Sequence, residues 1–146
     1  MRIAVLNGPS LNLLGVREPE VYGRETLQDI EHRLREVATE LGVELEFAQR
    51  NGEGELIDCI HAMRGRAQGA LINAGAYTHT SLAIRDALAA VDIPYAEVHL
   101  SNIFAREPER RHSMLAERAI GVLCGFGAYG YELALRGVVA TLSARG

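Results

Sequence analysis

Short apolar runs alternate along the chain with longer segments whose apolar residues recur at helical spacing. Leu27, Ile30, Leu34 and Val37 form one such stripe, which predicts an amphipathic helix. The intervening runs are too short for helices and predict strands. The pattern predicts strands over Arg2–Leu6, Val43–Phe47, Gly69–Asn73, Tyr95–His99 and Ile120–Cys124, and helices over Thr26–Leu41, Glu55–Arg66, Ser81–Val91 and Tyr129–Leu142.

Strands that alternate with helices indicate an α/β fold, here a flavodoxin-like, doubly wound sheet of five parallel strands with helices on both faces. The 146 residues suit a single domain that spans residues 1–146. Because ligands of such folds bind beyond the carboxyl ends of the strands, functional side chains are expected there.

The first strand is followed by a long connection, Asn7–Tyr22, which carries an arginine, Arg17, and a phenol, Tyr22. Connections between a strand and a helix usually have about two to six residues, and longer ones are commonly lids or binding loops. We therefore expect this connection to form part of a functional site.

The fourth strand places three polar side chains, Glu97, His99 and Ser101, on one face, since residues two apart on a strand point the same way. Polar groups are costly in a buried parallel strand unless they are hydrogen-bonded. Glu97 would fix the tautomer of His99 and leave the ring as a general acid or base. The alternative is an exposed edge strand with polar outward positions.

Two further strand ends carry candidate ligand-binding groups. Asn73 ends the third strand, and His79 lies just before the next helix, where free backbone N–H groups attract anions and hydroxylated ligands. Both side chains could bind a polyol, although His79 could also be a capping or surface histidine. The basic run after the fourth strand, which includes Arg106 and Arg110, could hold a carboxylate in bidentate fashion, although charge runs are usually solvated faces.

Composition excludes several kinds of chemistry. All 15 basic residues are arginines, and without lysine neither Schiff-base catalysis nor a Walker A loop is possible. A net charge of −4 gives no reason to expect a nucleic-acid partner. No apolar run approaches the roughly 20 residues of a membrane span, and the chain begins with a strand, so we expect neither membrane insertion nor a signal peptide. Cys59 and Cys124 favour two buried thiols and a cytoplasmic location over a disulfide.

The turn after the fifth strand matches G-x-G-x-x-G at Gly125, Gly127 and Gly130, the fingerprint of dinucleotide sites. Only 16 residues follow Gly130, too few for a helix, another strand and an acidic ribose partner about 20 residues on. Close packing of helix and strand is the better interpretation of these glycines.

Several motifs together resemble type II 3-dehydroquinate dehydratase across essentially the whole chain and in the order of that family. The resemblance implies dehydration of 3-dehydroquinate to 3-dehydroshikimate through an enolate, in the shikimate pathway of aromatic amino acid biosynthesis. It also implies no metal or cofactor, and a homododecamer of four trimers. The motifs are Asn7–Pro9, Arg17–Pro19, Tyr22–Gly23, Asn73–Gly75, Thr78–Ser81, Arg85–Asp86, Glu97–Asn102, Arg106 and Arg110–Ser113.

The same resemblance implies a role for each matching residue. Tyr22 is the base, and because a free phenol is mostly protonated at neutral pH, the positive charge of Arg17 would favour the phenolate. Arg106 assists the tyrosine, and His99, oriented by Glu97, protonates the leaving hydroxyl. Substrate binding is implied for Asn73, His79, Arg110, the backbone amides of Leu100 and Ser101, and Asp86 from a neighbouring subunit.

Ser10 departs from the family pattern, which has asparagine after Asn7–Pro9 to position a water against the enolate oxygen. A hydroxyl offers one donor where the amide offers two. We therefore expect a working but slowed enzyme, and a catalytically silent homologue is the alternative. A flavin- or nucleotide-binding protein of flavodoxin type is a second alternative. A response-regulator-like module is a third, opposed by Asn7–Pro9 and the missing lysine.

Overall fold

The computed structural model describes residues 1–146 and contains five strands and five α-helices. All predicted strands and helices are present, and an unpredicted four-residue helix lies in the long connection. The strands are β1 (Arg2–Asn7), β2 (Glu44–Gln49), β3 (Gly69–Asn73), β4 (Tyr95–His99) and β5 (Gly121–Cys124). The helices are α1 (Pro19–Tyr22), α2 (Leu27–Leu41), α3 (Glu53–His61), α4 (Leu82–Val91) and α5 (Tyr129–Arg145).

The sheet has the order β2-β1-β3-β4-β5, and every neighbouring pair is parallel. This is the doubly wound, flavodoxin-like order expected from the sequence. Because β4 lies between β3 and β5, it is not an edge strand, and the edge-strand interpretation of its polar residues is wrong. Glu97 and His99 are accordingly buried.

Helices cover both faces of the sheet, so the side chains of each strand enter two separate cores. Ile3 and Val5 of β1 pack with α2 and α5, whereas Ala4 and Leu6 pack with α3 and α4. This alternation follows from the two-residue period of a strand. Burial on both faces explains why the strands are continuous apolar runs.

The boundaries of the helices have local causes. Thr26 begins α2 with a capping box, in which its side chain accepts from the Asp29 N–H and Asp29 accepts from the Thr26 N–H. The predicted helix over Glu55–Arg66 ends early, at His61, because the chain then enters turns in which Gly65 has a positive φ of 73°. None of the helices has both the length and the apolar character needed to cross a membrane.

The glycine motif after β5 serves the backbone. Gly125 and Gly127 have φ values of 98° and 60°, which favour glycine, and the Gly127 N–H donates to the Leu100 carbonyl at 2.9 Å. Gly130 is buried, and a Cβ there would lie 3.8 Å from Val98. The packing interpretation therefore holds for Gly130, while the first two glycines shape the turn.

Both cysteines are free thiols, as predicted, but they are partly buried where the sequence predicted buried side chains. Cys59 packs against the core on the α3–α4 side of the sheet. The Cys124 thiol lies 3.8 Å from the side-chain oxygen of Asn102 at the carboxyl end of the sheet.

Candidate active site

One cleft at the carboxyl ends of β1, β3 and β4 brings together ten of the residues that the sequence singles out. Two predicted site residues do not line it. Glu97 lies beneath His99, and Asp86 is exposed on α4, outside the cleft of its own subunit. The ten are Ser10, Arg17, Tyr22, Asn73, His79, His99, Leu100, Ser101, Arg106 and Arg110.

Glu97 and His99 form a buried pair on β4. Glu97 is 0% exposed and His99 is 5% exposed, and His99 Nε2 lies 2.5 Å from Glu97 Oε2. An ionised carboxylate only accepts hydrogen bonds, so the imidazole donates through Nε2–H. The second nitrogen, Nδ1, is thereby left for chemistry in the cleft, and this ring can act as a general acid or base.

Tyr22, at the end of α1, lies between two guanidinium groups. Arg106 Nη1 donates to the Tyr22 hydroxyl at 3.0 Å, and its Cζ lies 5.2 Å from the ring centroid. The Arg17 Cζ lies 4.7 Å from the same centroid. Both guanidinium groups therefore lie against the phenol that the sequence predicts as the base. Both arginines were expected near the tyrosine, and the structure distinguishes them, since Arg106 contacts the oxygen and Arg17 lies over the ring.

His79 is held in one tautomer by the backbone. Its Nδ1 lies 2.7 Å from the carbonyl oxygen of His112, so Nδ1 must carry the proton and donate. Burial is the largest cause that lowers the pKa of His79 and keeps the ring neutral. Its ring stacks on that of His99 with 6.3 Å between centroids. The remaining nitrogen, Nε2, is therefore an acceptor suited to a hydroxyl of a ligand.

Asn73 is oriented by a buried network that sequence reasoning missed. Its Nδ2 donates to the Tyr131 hydroxyl at 3.0 Å, and its Oδ1 accepts from the Gly75 N–H at 3.2 Å. The Tyr131 hydroxyl in turn donates to Asn7 Oδ1 at 2.6 Å. Burial raises the pKa of Tyr131, so this phenol stays neutral and remains a donor. A buried tyrosine needs a polar partner, and that was the only signal in the sequence.

Replacing Tyr131 by phenylalanine should lower the free energy of unfolding by about 1–3 kcal/mol, because buried amide groups of Asn73 and Asn7 lose their partner. Urea unfolding followed by circular dichroism measures the change. Tyr129→Phe is the matched control, since Tyr129 lies on the same helix but is 51% exposed. Equal stability of the two variants would contradict the structural role of the Tyr131 hydroxyl.

Ser10 lies in the left-handed region, with φ of 67°. Its backbone N–H donates to Asn51 Oδ1 at 3.0 Å, and Gln49 Nε2 donates to the same oxygen at 3.1 Å and to the Gly8 carbonyl at 3.0 Å. Gln49 and Asn51, which the sequence did not single out, thus hold the loop. The Ser10 hydroxyl caps no helix, and the residue lines the cleft.

The other side of the cleft offers cationic and backbone donors. Arg110 lines it while its Nε lies 2.8 Å from Glu107 Oε1, which orients the guanidinium. The N–H groups of Leu100 and Ser101 donate to no backbone carbonyl. Such donors suit a carboxylate or hydroxyl oxygen. The structure contains no group of three or more His, Cys, Asp or Glu side chains that could hold a metal ion.

The chain is similar to known proteins over nearly its whole length. The model of the class II dehydroquinase family matches residues 1–139. The 3-dehydroquinate dehydratase of Gemmatimonas aurantiaca is 64% identical over 97% of this chain and 93% of its own, and that of Prochlorococcus marinus is 57% identical over 97% and 98%. The crystal structure of the type II dehydroquinase from Butyrivibrio crossotus superposes with a TM-score of 0.92 at 41% identity, covering 94% of this chain and 97% of that one.

Proposed function

The chain belongs to the class II dehydroquinases and is a 3-dehydroquinate dehydratase, a hydro-lyase of the shikimate pathway, and we propose that the cleft described above carries out its reaction. The reaction removes water from the carbon β to a ketone. It needs a base for the α-proton, a donor for the enolate oxygen and an acid for the leaving hydroxyl. A phenol held by guanidinium groups and an imidazole backed by a carboxylate line the same cleft, and that observation carries the proposal.

Tyr22 is the base in this proposal. The contact of 3.0 Å from Arg106, together with Arg17 over the ring, supports a phenolate that can take the α-proton of 3-dehydroquinate. The electron pair of the broken C–H bond moves to the ketone oxygen and forms the enolate. His99, doubly protonated at this step, then gives the proton on Nδ1 to the β-hydroxyl as the C–O bond breaks, and water leaves while the ring keeps its Nε2 proton hydrogen-bonded to Glu97.

Substrate binding falls to the rest of the cleft. Arg110 and the free amides of Leu100 and Ser101 are suited to the carboxylate and hydroxyl oxygens of the substrate. Asn73, oriented by Tyr131, and His79, with its Nε2 as an acceptor, are suited to ring hydroxyls. Dehydration creates a conjugated enone, so the growth of ultraviolet absorbance after addition of 3-dehydroquinate measures the activity. Loss of this absorbance change in variants of the cleft residues would assign the dehydratase activity to this cleft.

Asp86 is proposed to act in the cleft of a neighbouring subunit, since it is exposed on α4 and does not line the cleft of its own. This role requires a second subunit, and the proposed assembly is a homododecamer of four trimers. Sedimentation equilibrium tests the assembly, and a monomer with full activity would contradict the role of Asp86.

A cytoplasmic location is also proposed, supported by the two free cysteines.

No observation favours a flavin- or nucleotide-binding protein, because the relatives above are dehydroquinases and the glycine motif forms a turn.

Ser10 is expected to affect the rate of turnover and not the kind of reaction. Its hydroxyl is shorter than the amide of asparagine and supplies one donor toward the enolate side of the cleft. The proposal is therefore a functioning enzyme whose turnover is limited at this position.

Replacing Ser10 by asparagine should raise kcat by about tenfold, because an added amide donor can position a water against the enolate oxygen. Asparagine also tolerates the left-handed backbone of this position better than most residues. Steady-state turnover of the two proteins measures the effect. Ser10→Ala is the variant that removes the side-chain donor at this position. An equal or lower kcat for Ser10→Asn would contradict the proposal that the serine limits turnover.

A further inference from the structure

Glu97 has a second partner besides His99. This carboxylate is 0% exposed, and it accepts only two hydrogen bonds within the chain. One comes from His99, and the other comes from the hydroxyl of Ser113, whose Oγ lies 2.7 Å from Glu97 Oε1. A buried carboxylate has lost its hydration, and hydrogen bonds from the protein must compensate for that loss. Removing either bond would therefore destabilise the charged form.

The direction of the bond from Ser113 is determined by its other contacts. Its Oγ accepts from the N–H groups of Leu115 and Ala116, both at 3.1 Å. A serine hydroxyl has two acceptor positions and one proton. Since the two amides occupy both acceptor positions, the proton must point toward Glu97. The oxygen of Glu97 that faces Ser113 is therefore an acceptor and carries no proton.

The segment that carries Ser113 is anchored on both sides. The Tyr95 hydroxyl donates to the Leu115 carbonyl at 2.5 Å, and Leu115 is fully buried. The Met114 N–H donates to the Thr78 carbonyl at 2.9 Å. The hydroxyl of Ser113 is thus held in place by a rigid surrounding, as an orienting group needs to be.

We propose that Ser113 is a positioning residue, which keeps Glu97 as a hydrogen-bond acceptor and so makes Nδ1 the nitrogen of His99 that transfers the proton. An ionised Glu97 accepts at both oxygens, so a neutral His99 carries its proton on Nε2, and the second proton of the imidazolium, which the acid gives up, lies on Nδ1. Nδ1 forms no hydrogen bond with the chain, and the ring lines the cleft. This inference rests on the proposed role of His99 as the acid, and it adds a residue that does not touch substrate.

Ser113→Ala should lower kcat about tenfold with KM within about twofold, because losing a hydrogen bond to a charged group disturbs the acid while the binding groups stay in place. Ser113→Thr keeps the hydroxyl and should retain kcat within about threefold of the parent. Ser143→Ala is the control, an exposed serine on α5 whose loss should change neither constant. A parental kcat for Ser113→Ala would overturn the proposal.

The tautomer of His99 tests the premise of this inference, that Glu97 accepts from Nε2, without a variant of Ser113 and without turnover. Solid-state ¹⁵N NMR of histidine-labelled enzyme, at an alkaline pH where imidazoles are neutral, should show the His99 proton on Nε2 and the His79 proton on Nδ1. The His99 signals are assigned by their loss in His99→Asn. A His99 proton on Nδ1 would overturn the proposal.

Failure of the inference differs from failure of the proposed function. If His99→Asn keeps parental turnover, His99 is not the acid and the proposed mechanism is wrong. If His99→Asn is inactive while Ser113→Ala turns over like the parent, the mechanism stands and the role of Ser113 is wrong. Circular dichroism shows whether each variant is folded. If Ser113→Ala does not fold, the kcat of Ser113→Thr and the tautomer measured by NMR decide whether the inference stands.

Discussion

Tyr22→Phe should lower kcat by about 10³–10⁴-fold, at the upper end of what removing a general base does. The substitution removes one oxygen, the atom that Arg106 contacts at 3.0 Å, and leaves the ring between the two guanidinium groups. No lysine in the chain can replace the base. The absorbance assay measures kcat, and KM should change by no more than about threefold.

Tyr129→Phe is the matched control, since it removes an exposed phenol outside the cleft and should leave kcat unchanged. Incubation with substrate in deuterated water adds a second measurement. Tyr22→Phe should also abolish exchange of the α-proton, because the base acts on that proton directly. A variant that retains a tenth of parental kcat would exclude Tyr22 as the base.

His99→Asn should lower kcat by about 10²–10³-fold, because the hydroxyl must then leave without a proton from the positioned imidazole. Asparagine preserves a polar side chain beside Glu97, so the buried carboxylate keeps a donor. The absorbance assay again measures turnover. His61→Asn, an exposed histidine at the end of α3, is the control and should behave like the parent.

Proton exchange separates the two roles. His99→Asn should still exchange the α-proton of 3-dehydroquinate with solvent, since Tyr22 remains and the enolate can return to substrate. Tyr22→Phe should not. If His99→Asn lost exchange as completely as turnover, His99 would be the group that removes the proton, and the assignment of acid and base would be reversed.

Polar residues in unusual places were the most informative local signals. Glu97 and His99 indicated a functional site because polar and charged groups are costly in a buried strand. β4 is internal to the sheet, and both side chains are buried. The long connection to Tyr22 does line the cleft. The sequence also predicts a departure from the family pattern at Ser10.

For other residues of the site, nothing local in the sequence indicated which partner they contact. Ser113 donates to Glu97 across 16 positions, Asn51 accepts from Ser10 across 41, and Tyr131 meets Asn73 across 58. Even Ser113, which belongs to a motif of the family, gave no indication that it would contact Glu97. Their partners become known only when loops after β2 and β4, and the start of α5, come together at one edge of the sheet.

The sequence by itself determined the alternation of strands and helices, the two buried faces of the sheet and the edge at which its functional residues meet, because periodicity reports which side of an element is buried. It also determined the family, through motifs spread over the whole chain. Only the tertiary structure decided that Arg106 contacts the Tyr22 oxygen while Arg17 lies over its ring. It also decided which hydroxyl holds Glu97, since hydrogen bonds between distant segments depend on how the loops pack.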